Sequence, residues 1–299
     1  MRTCLLVVAV LIGMVAAPSA QNDLDAFMAQ VLARRDDNWK KLQQYVLDED
    51  ETFLLTGPDA RRLYGSHREY TWFPQDEFFI RSPIKADGVT ISEEERRKAE
   101  QAWLRREQSR ERGRLEREQR AQDTAETPPS LDDLVRPGNE PRFVSNAYFL
   151  RFKFEPGHYA LVERERLLDR DVLRIEYYPA ELFREGRSRP NRRVRERDER
   201  VEEKMNKVAL ITLWIEPTAH QILQYEFRNI DFDFLPARSL VRLDDLRATM
   251  RMTQPFPNIW LPDTIAMRFA MTIALGTIDA RYDVRYHDYR EATVRTRVR

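Results

Sequence analysis

Cysteine is almost missing from this 299-residue chain, which has one, Cys4. It sits inside an N-terminal apolar run, so the chain beyond that run has no thiol, and a disulfide scaffold or cysteine-based metal site is excluded. Glycine is scarce too, at nine residues. That leaves little for phosphate-cradling loops, and no Gly-x-Ser-x-Gly elbow occurs. The four histidines are His67, His158, His220 and His287. No two are three or four residues apart, as a helical metal site needs, and His-Glu-x-x-His is absent. Ordinary surface positions account for all four. Net charge is also lacking, with 50 basic against 50 acidic residues, which argues against nucleic acid as a partner. Nothing implies a cofactor or a metal, and no motif marks an enzyme.

What is present begins at the N-terminus. Met1-Arg2 precedes an unbroken apolar run from Cys4 to Ala17, then Pro18-Ser19-Ala20-Gln21. A positive start, an apolar core of about 14 residues and a small-residue exit describe a secretory signal peptide. Cleavage falls between Ser19 and Gln21. The run is shorter than the roughly 20 apolar residues that span a bilayer; an uncleaved anchor is the alternative reading. The expectation is an exported, soluble protein, placed in the periplasm of a bacterial envelope. About 280 remaining residues suffice for one large or two small domains.

Charged residues make up 33% of the chain, above the usual quarter, and they gather in two blocks. One block divides the chain into a signal (1–20), an N-terminal part (21–91), a charged arm with a proline-containing linker (92–142) and a C-terminal part (143–299). From Asp23 to Lys41, Leu24, Phe27, Met28, Val31 and Leu32 recur at helical spacing. Thr52–Leu55, Arg68–Phe73 and Phe78–Ser82 read as strands, with a turn at Pro74-Gln75-Asp76. Ser92 with Glu95 forms a capping box, and Glu93–Arg97, Glu94–Lys98 and Glu116–Arg120 are favourable four-residue pairs. Trp103, Leu104 and Leu115 are the main apolar residues of this helix, so it reads as a solvated arm.

Beyond the linker the period becomes two. Tyr148, Leu150, Phe152 and Phe154 share a face, as do Leu173, Ile175 and Tyr177. The second charged block, Arg184 to Lys207, reads as a loop leading into a short helix. Val208–Ile215 is a nearly continuous apolar strand, and Gln221–Asn229 follows it. Ile265, Met267, Phe269, Met271, Ile273 and Leu275 alternate with small or polar residues, and Ile278, Ala280, Tyr282, Val284 and Tyr286 repeat the pattern. Consecutive alternating strands imply an antiparallel meander with one apolar and one wet face. Few helices are available to cover that face. The expected fold is therefore mainly β (α+β): a curved antiparallel sheet or half-barrel, with the N-terminal helix as lid and the 92–142 arm as an insertion.

The succession of signal peptide, leading amphipathic helix, strand hairpin, Val208-Ala209-Leu210-Ile211-Thr212-Leu213-Trp214-Ile215-Glu216-Pro217, returning strand, Trp260-Leu261-Pro262 and closing meander resembles the LolA/LolB-like lipoprotein-carrier fold. Outer-membrane lipoprotein-sorting proteins are among its relatives. The resemblance covers Asp23–Ser82 and Phe143–Arg299. It implies an open half-barrel that holds acyl chains beneath a helical lid. Ile175-Glu176-Tyr177-Tyr178-Pro179 is also similar to a stretch of bacterial secreted proteins without an assigned activity.

The candidate cavity residues are Leu223, Tyr225, Phe227, Met250, Met252, Trp260, Met267, Phe269 and Met271. Methionine suits surfaces that accept variable apolar partners, and these residues either line an acyl-chain cavity or fill a dry core. Arg189, Arg192 and Arg193 are candidate headgroup contacts, since arginine forks match phosphate; a solvated charged loop is the alternative. Asp231 with Asp233, and Asp244 with Asp245, place carboxylates together as for acid/base chemistry or a calcium ion, but a solvated loop or edge is the preferred reading. The readings that follow are a non-catalytic envelope protein binding a lipid or acylated protein, with possible membrane-surface contact, or an assembly factor using the Ser92–Gln122 helix to bind another protein. A hydrolase with a hidden acidic site comes third.

Overall fold

The computed structural model describes residues 17–75, 78–121, 149–150, 152, 154–179, 209–229, 241–273 and 276–292. Among the described residues two α-helices, α1 (Ala17–Leu42) and α2 (Glu93–Ala121), accompany eleven strands. These are β1 (Tyr45–Thr56), β2 (Arg62–Gln75), β3 (Phe78–Ala86), β4 (Val89–Thr90), β5 (Tyr159–Leu167), β6 (Arg170–Tyr177), β7 (Ala209–Glu216), β8 (Gln221–Asn229), β9 (Val241–Phe256), β10 (Ile259–Ile273) and β11 (Gly276–Glu291). All belong to one antiparallel sheet in the order β4-β3-β2-β1-β11-β10-β9-β8-β7-β6-β5. The sheet is open, a mainly β half-barrel with its helices on one face. No described helix is long and apolar enough to cross a membrane.

Consecutive strands pair throughout, except β4 and β5, which lie at opposite edges of the sheet, and the pairing of β1 with β11 joins the two runs. Short turns make the meander possible. Asp87 and Gly88, both at positive φ (50° and 82°), form the two-residue connection from β3 to β4, the conformation such hairpins demand.

The register defines an inner face. It carries Leu47, Glu49, Glu51, Phe53 and Leu55 of β1 beside Tyr286, Val284, Tyr282 and Ala280 of β11, then Ile265, Met267 and Phe269 of β10 and Met250, Ala248 and Leu246 of β9. Tyr225 and Phe227, Leu213 and Ile211, then Ile175 and Tyr177 continue it across β8, β7 and β6. Helix α1 lies over this face through Met28, Val31, Arg35, Asn38 and Leu42, all buried and spaced three or four apart. Both polar members of the stripe donate hydrogen bonds, although the buried Asn38 Oδ1 accepts none. Arg35 donates to the Phe152 carbonyl at 2.6 Å, and Asn38 to the Gln221 side chain at 2.8 Å.

Most anticipated strands are present and longer than their alternation suggested. Three were not anticipated, the two-residue β4 among them. β5 contains Glu163-Arg164-Glu165-Arg166, a charge run that hides alternation on an edge strand. β9 is interrupted where the register shifts opposite Ala270 and Met271, so its pairing departs from strict period two. The strand expected at 148–154 is a correction: residues 149–150 are helical and Phe152 and Phe154 lie in irregular chain. Phe149, Leu150 and Phe152 are all buried, which a strand with one apolar face does not allow for adjacent residues. Phe149 meets Phe227 edge-on at 4.8 Å, and Phe152 meets Phe227 at 5.3 Å, so the segment plugs the inner face.

The charged helix is also tied down more firmly than a solvated arm. The predicted capping box forms, with Ser92 and Glu95 exchanging hydrogen bonds. Trp103 then packs edge-to-face on Trp72 at 5.5 Å and donates to the Phe79 carbonyl at 3.1 Å, while Ser82 donates to Glu100 at 2.5 Å. One tryptophan therefore anchors the first half of α2 to β2 and β3, a contact its sparse apolar content does not advertise.

Candidate functional site

Along β1 and β2 the inner face reads, rung by rung, Leu47–Trp72, Glu49–Tyr70, Glu51–Arg68, Phe53–Ser66 and Leu55–Tyr64. Successive rungs are about 7 Å apart. The first lies in the core, covered by helices; the last are open. Leu47 is fully buried, Phe53 and Leu55 are half-buried, and Tyr64 is 49% exposed. The same change occurs on the neighbouring strands, where Ile265 and Met267 are buried while Phe269 and Ile278 are half-buried. An apolar shelf thus continues past the helices that cover the rest of the face. Phe53 and Tyr64 pack against each other on it at 5.9 Å.

Between core and shelf stands a buried ionic cluster. Arg81 of β3 donates to Glu49, and to Glu51 at 2.6 Å. Trp72 donates to Glu49 through its indole nitrogen at 2.5 Å, and the Tyr282 hydroxyl to Glu51 at 2.8 Å. The Arg81 guanidinium also lies 3.5 Å from the centre of the Tyr70 ring, a cation–π contact. Arg68 stands at the shelf side, 4.0 Å from Glu51 and 43% exposed.

Burial is the largest influence on Glu49 and raises its carboxyl above the ordinary value. Arg81 pulls it down by charge and hydrogen bond, and the Glu51 charge pushes it up again. Desolvation prevails because this side chain is wholly out of water. Folded Glu49 therefore holds its proton more tightly than the unfolded chain does. Its contribution to stability is complete below the ordinary carboxyl value of 4.5 and is lost as pH rises through the folded value. Glu49→Gln, which cannot ionise, is expected to gain stability relative to the wild type as pH rises from 4 to 8. Urea unfolding across that range checks this, and a stability difference that does not change with pH would contradict it.

Seven candidate cavity residues, Leu223, Tyr225, Phe227, Met250, Met252, Trp260 and Met267, lie buried in the main core. Phe269 reaches the shelf, and the Met271 side chain lies outside what is described. Arg189, Arg192 and Arg193, and Asp231 with Asp233, fall outside the described residues, as do the side chains of Asp244 and Asp245. The histidines are far apart in role: His67 is exposed, His158 lies near Glu155, His220 packs on Phe27 at 5.1 Å, and His287 pairs with Asp288 at 2.8 Å. No group of metal-ligating side chains occurs among the described residues.

Sequence reasoning missed Glu49, Glu51, Arg81 and Arg68. A signal existed: Leu47, Glu49, Glu51 and Phe53 share parity, so two carboxylates fall on an apolar stripe.

No protein-family model matches the chain, and no curated protein does. Among solved structures it is similar to one described as an outer membrane lipoprotein-sorting protein domain from Vibrio parahaemolyticus, at 12% identity, covering 90% of this chain and 93% of that one, with a TM-score of 0.35. A DUF1329 family protein from Desulfovibrio piger is similar at 9% identity, over 92% and 93%, with a TM-score of 0.39. A chain of the Pseudomonas aeruginosa MucA/MucB complex matches at 11% identity, over 90% and 99%, with a TM-score of 0.19.

Proposed function

We propose that this chain is a non-catalytic binding protein of the bacterial envelope that holds a lipid, or the acyl chain of a lipidated protein, against the inner face of its sheet. The observation that carries the reading is the shelf of Phe53, Leu55, Phe269 and Ile278, apolar surface that continues where the helical cover ends. Sequestering acyl methylenes there contributes about 0.8 kcal/mol each, so affinity needs no chemistry. The sequence resemblance to the lipoprotein-carrier fold points the same way.

Native mass spectrometry of the exported protein, followed by organic extraction, tests this. The expected result is a stoichiometric acyl-bearing ligand that is lost from Phe269→Glu while the far-ultraviolet spectrum and melting profile stay near wild type. A clean apo mass with no uptake of added lipid would refute it.

A second reading is an assembly factor working through α2. It is favoured by the anchoring of the first half of that helix at Trp103, while the sequence from Arg112 to Ala121 carries charge on most positions. Removing 113–121 would then abolish function in cells and leave lipid uptake intact.

A further inference from the structure

We propose that the shelf is selective for amphiphiles carrying one anionic group, a carboxylate or phosphate, which Arg68 receives at the boundary between the ionic cluster and the apolar surface. The inference rests on the binding role proposed above and names the chemistry of the ligand's polar end. Arg68 faces inward one rung before Phe53–Ser66 and two before Leu55–Tyr64, so a group on its guanidinium has apolar surface beginning about 7 Å away. Glu51 is not a full partner for it. One Glu51 oxygen accepts from Arg81 and Tyr282, at 2.6 and 2.8 Å, and the other is 4.0 Å from Arg68. The Tyr70 phenol is a further electrostatic partner of Arg68. A guanidinium has five N–H donors, and these two contacts occupy only part of the fork. Arg81 cannot do the same work, because it is buried and turned to Glu49 and Glu51. Ser66, opposite Phe53, and the half-exposed Tyr64 offer hydroxyls on the same side.

Isothermal titration of the exported protein tests this with three probes: dodecyl phosphate, dodecyl maltoside of equal chain length, both below micelle formation, and inorganic phosphate. Dodecyl phosphate is expected to bind about tenfold more tightly than dodecyl maltoside, the scale of one charge-assisted hydrogen bond. Arg68→Gln should remove that difference while leaving dodecyl maltoside unchanged, and Arg68→Lys should keep part of it. Equal binding of the two alkyl probes to the wild type, or an equal loss of both in Arg68→Gln, overturns the anionic selectivity alone. Inorganic phosphate binding as tightly as dodecyl phosphate overturns it in favour of a simple anion site. Failure of both alkyl probes to bind defeats the shelf itself and this inference with it.

Discussion

Arg81→Ala is expected to lower the unfolding free energy by about 3–5 kcal/mol, the cost of removing one partner from a buried ion pair. Few side chains here carry more. The arginine neutralises two carboxylates that are 0% and 8% exposed, and water cannot replace it without opening the packing of α2 on β3. Its contact with the Tyr70 ring is lost as well. The loss belongs mainly to what is left behind rather than to the strength of the pair. Hence a triple replacement, Glu49→Gln with Glu51→Gln and Arg81→Met, should recover most of the stability although every charge is gone. Equilibrium urea denaturation of the three proteins separates these terms. If Arg81→Ala cost less than about 1 kcal/mol, in the range of an exposed pair, the cluster would have to be hydrated, and its place between core and shelf would need revision.

Met250→Glu is expected to unfold the protein, whereas Phe269→Glu is expected to leave it folded. The two positions are one strand apart and face the same side. Met250 pairs with Ile265 and Tyr225, both fully or nearly fully buried, and is itself 0% exposed under the helical cover. A carboxylate there must either ionise in the core or hold its proton at a cost of about 4 kcal/mol. That is a large part of the roughly 5–15 kcal/mol by which domains are stable. Phe269 sits beyond that cover, next to Leu246 and Ala280, where its side chain already meets solvent. Circular dichroism and limited proteolysis distinguish the outcomes. A folded Met250→Glu variant would mean that the covered part of the face yields to water, and the cavity would then extend under α1.

The contrast between these two residues also marks how far the sequence could be read. Alternation through Ile265, Met267 and Phe269 told which side of the strand faces inward, because period two is a property of the backbone. It could not tell where along the strand the covering helix stops, which depends on how α1 crosses the sheet. Burial of Met267 and half-burial of Phe269 therefore look identical in sequence. Glu49 and Glu51 were hidden for a different reason. Charge in a strand is ordinarily read as the wet face, and only the partner across two strands, Arg81, makes an inward carboxylate tolerable. The tryptophan that anchors α2 was overlooked because a single large side chain leaves no periodic trace. The plug at Phe149–Phe152 misled for the opposite reason, having strand-like alternation while following no strand.

The pairing of β1 with β11 has a consequence for the order in which the molecule can assemble. Residues that are almost the whole chain apart must meet before the sheet is continuous: Asp48 with Arg290, Asp50 with Arg285 and Glu51 with Tyr282 all cross this seam. Hairpins within β1–β4 and within β5–β11 can form early, since each joins strands far closer in sequence than β1 and β11, and the seam closes the longest loop in the protein. A chain emerging from a ribosome or a translocation channel thus exists as two ribbons until its last strand is free. Through that interval the inner faces of both ribbons are bare, and whatever shields them in the cell sets the yield of native protein.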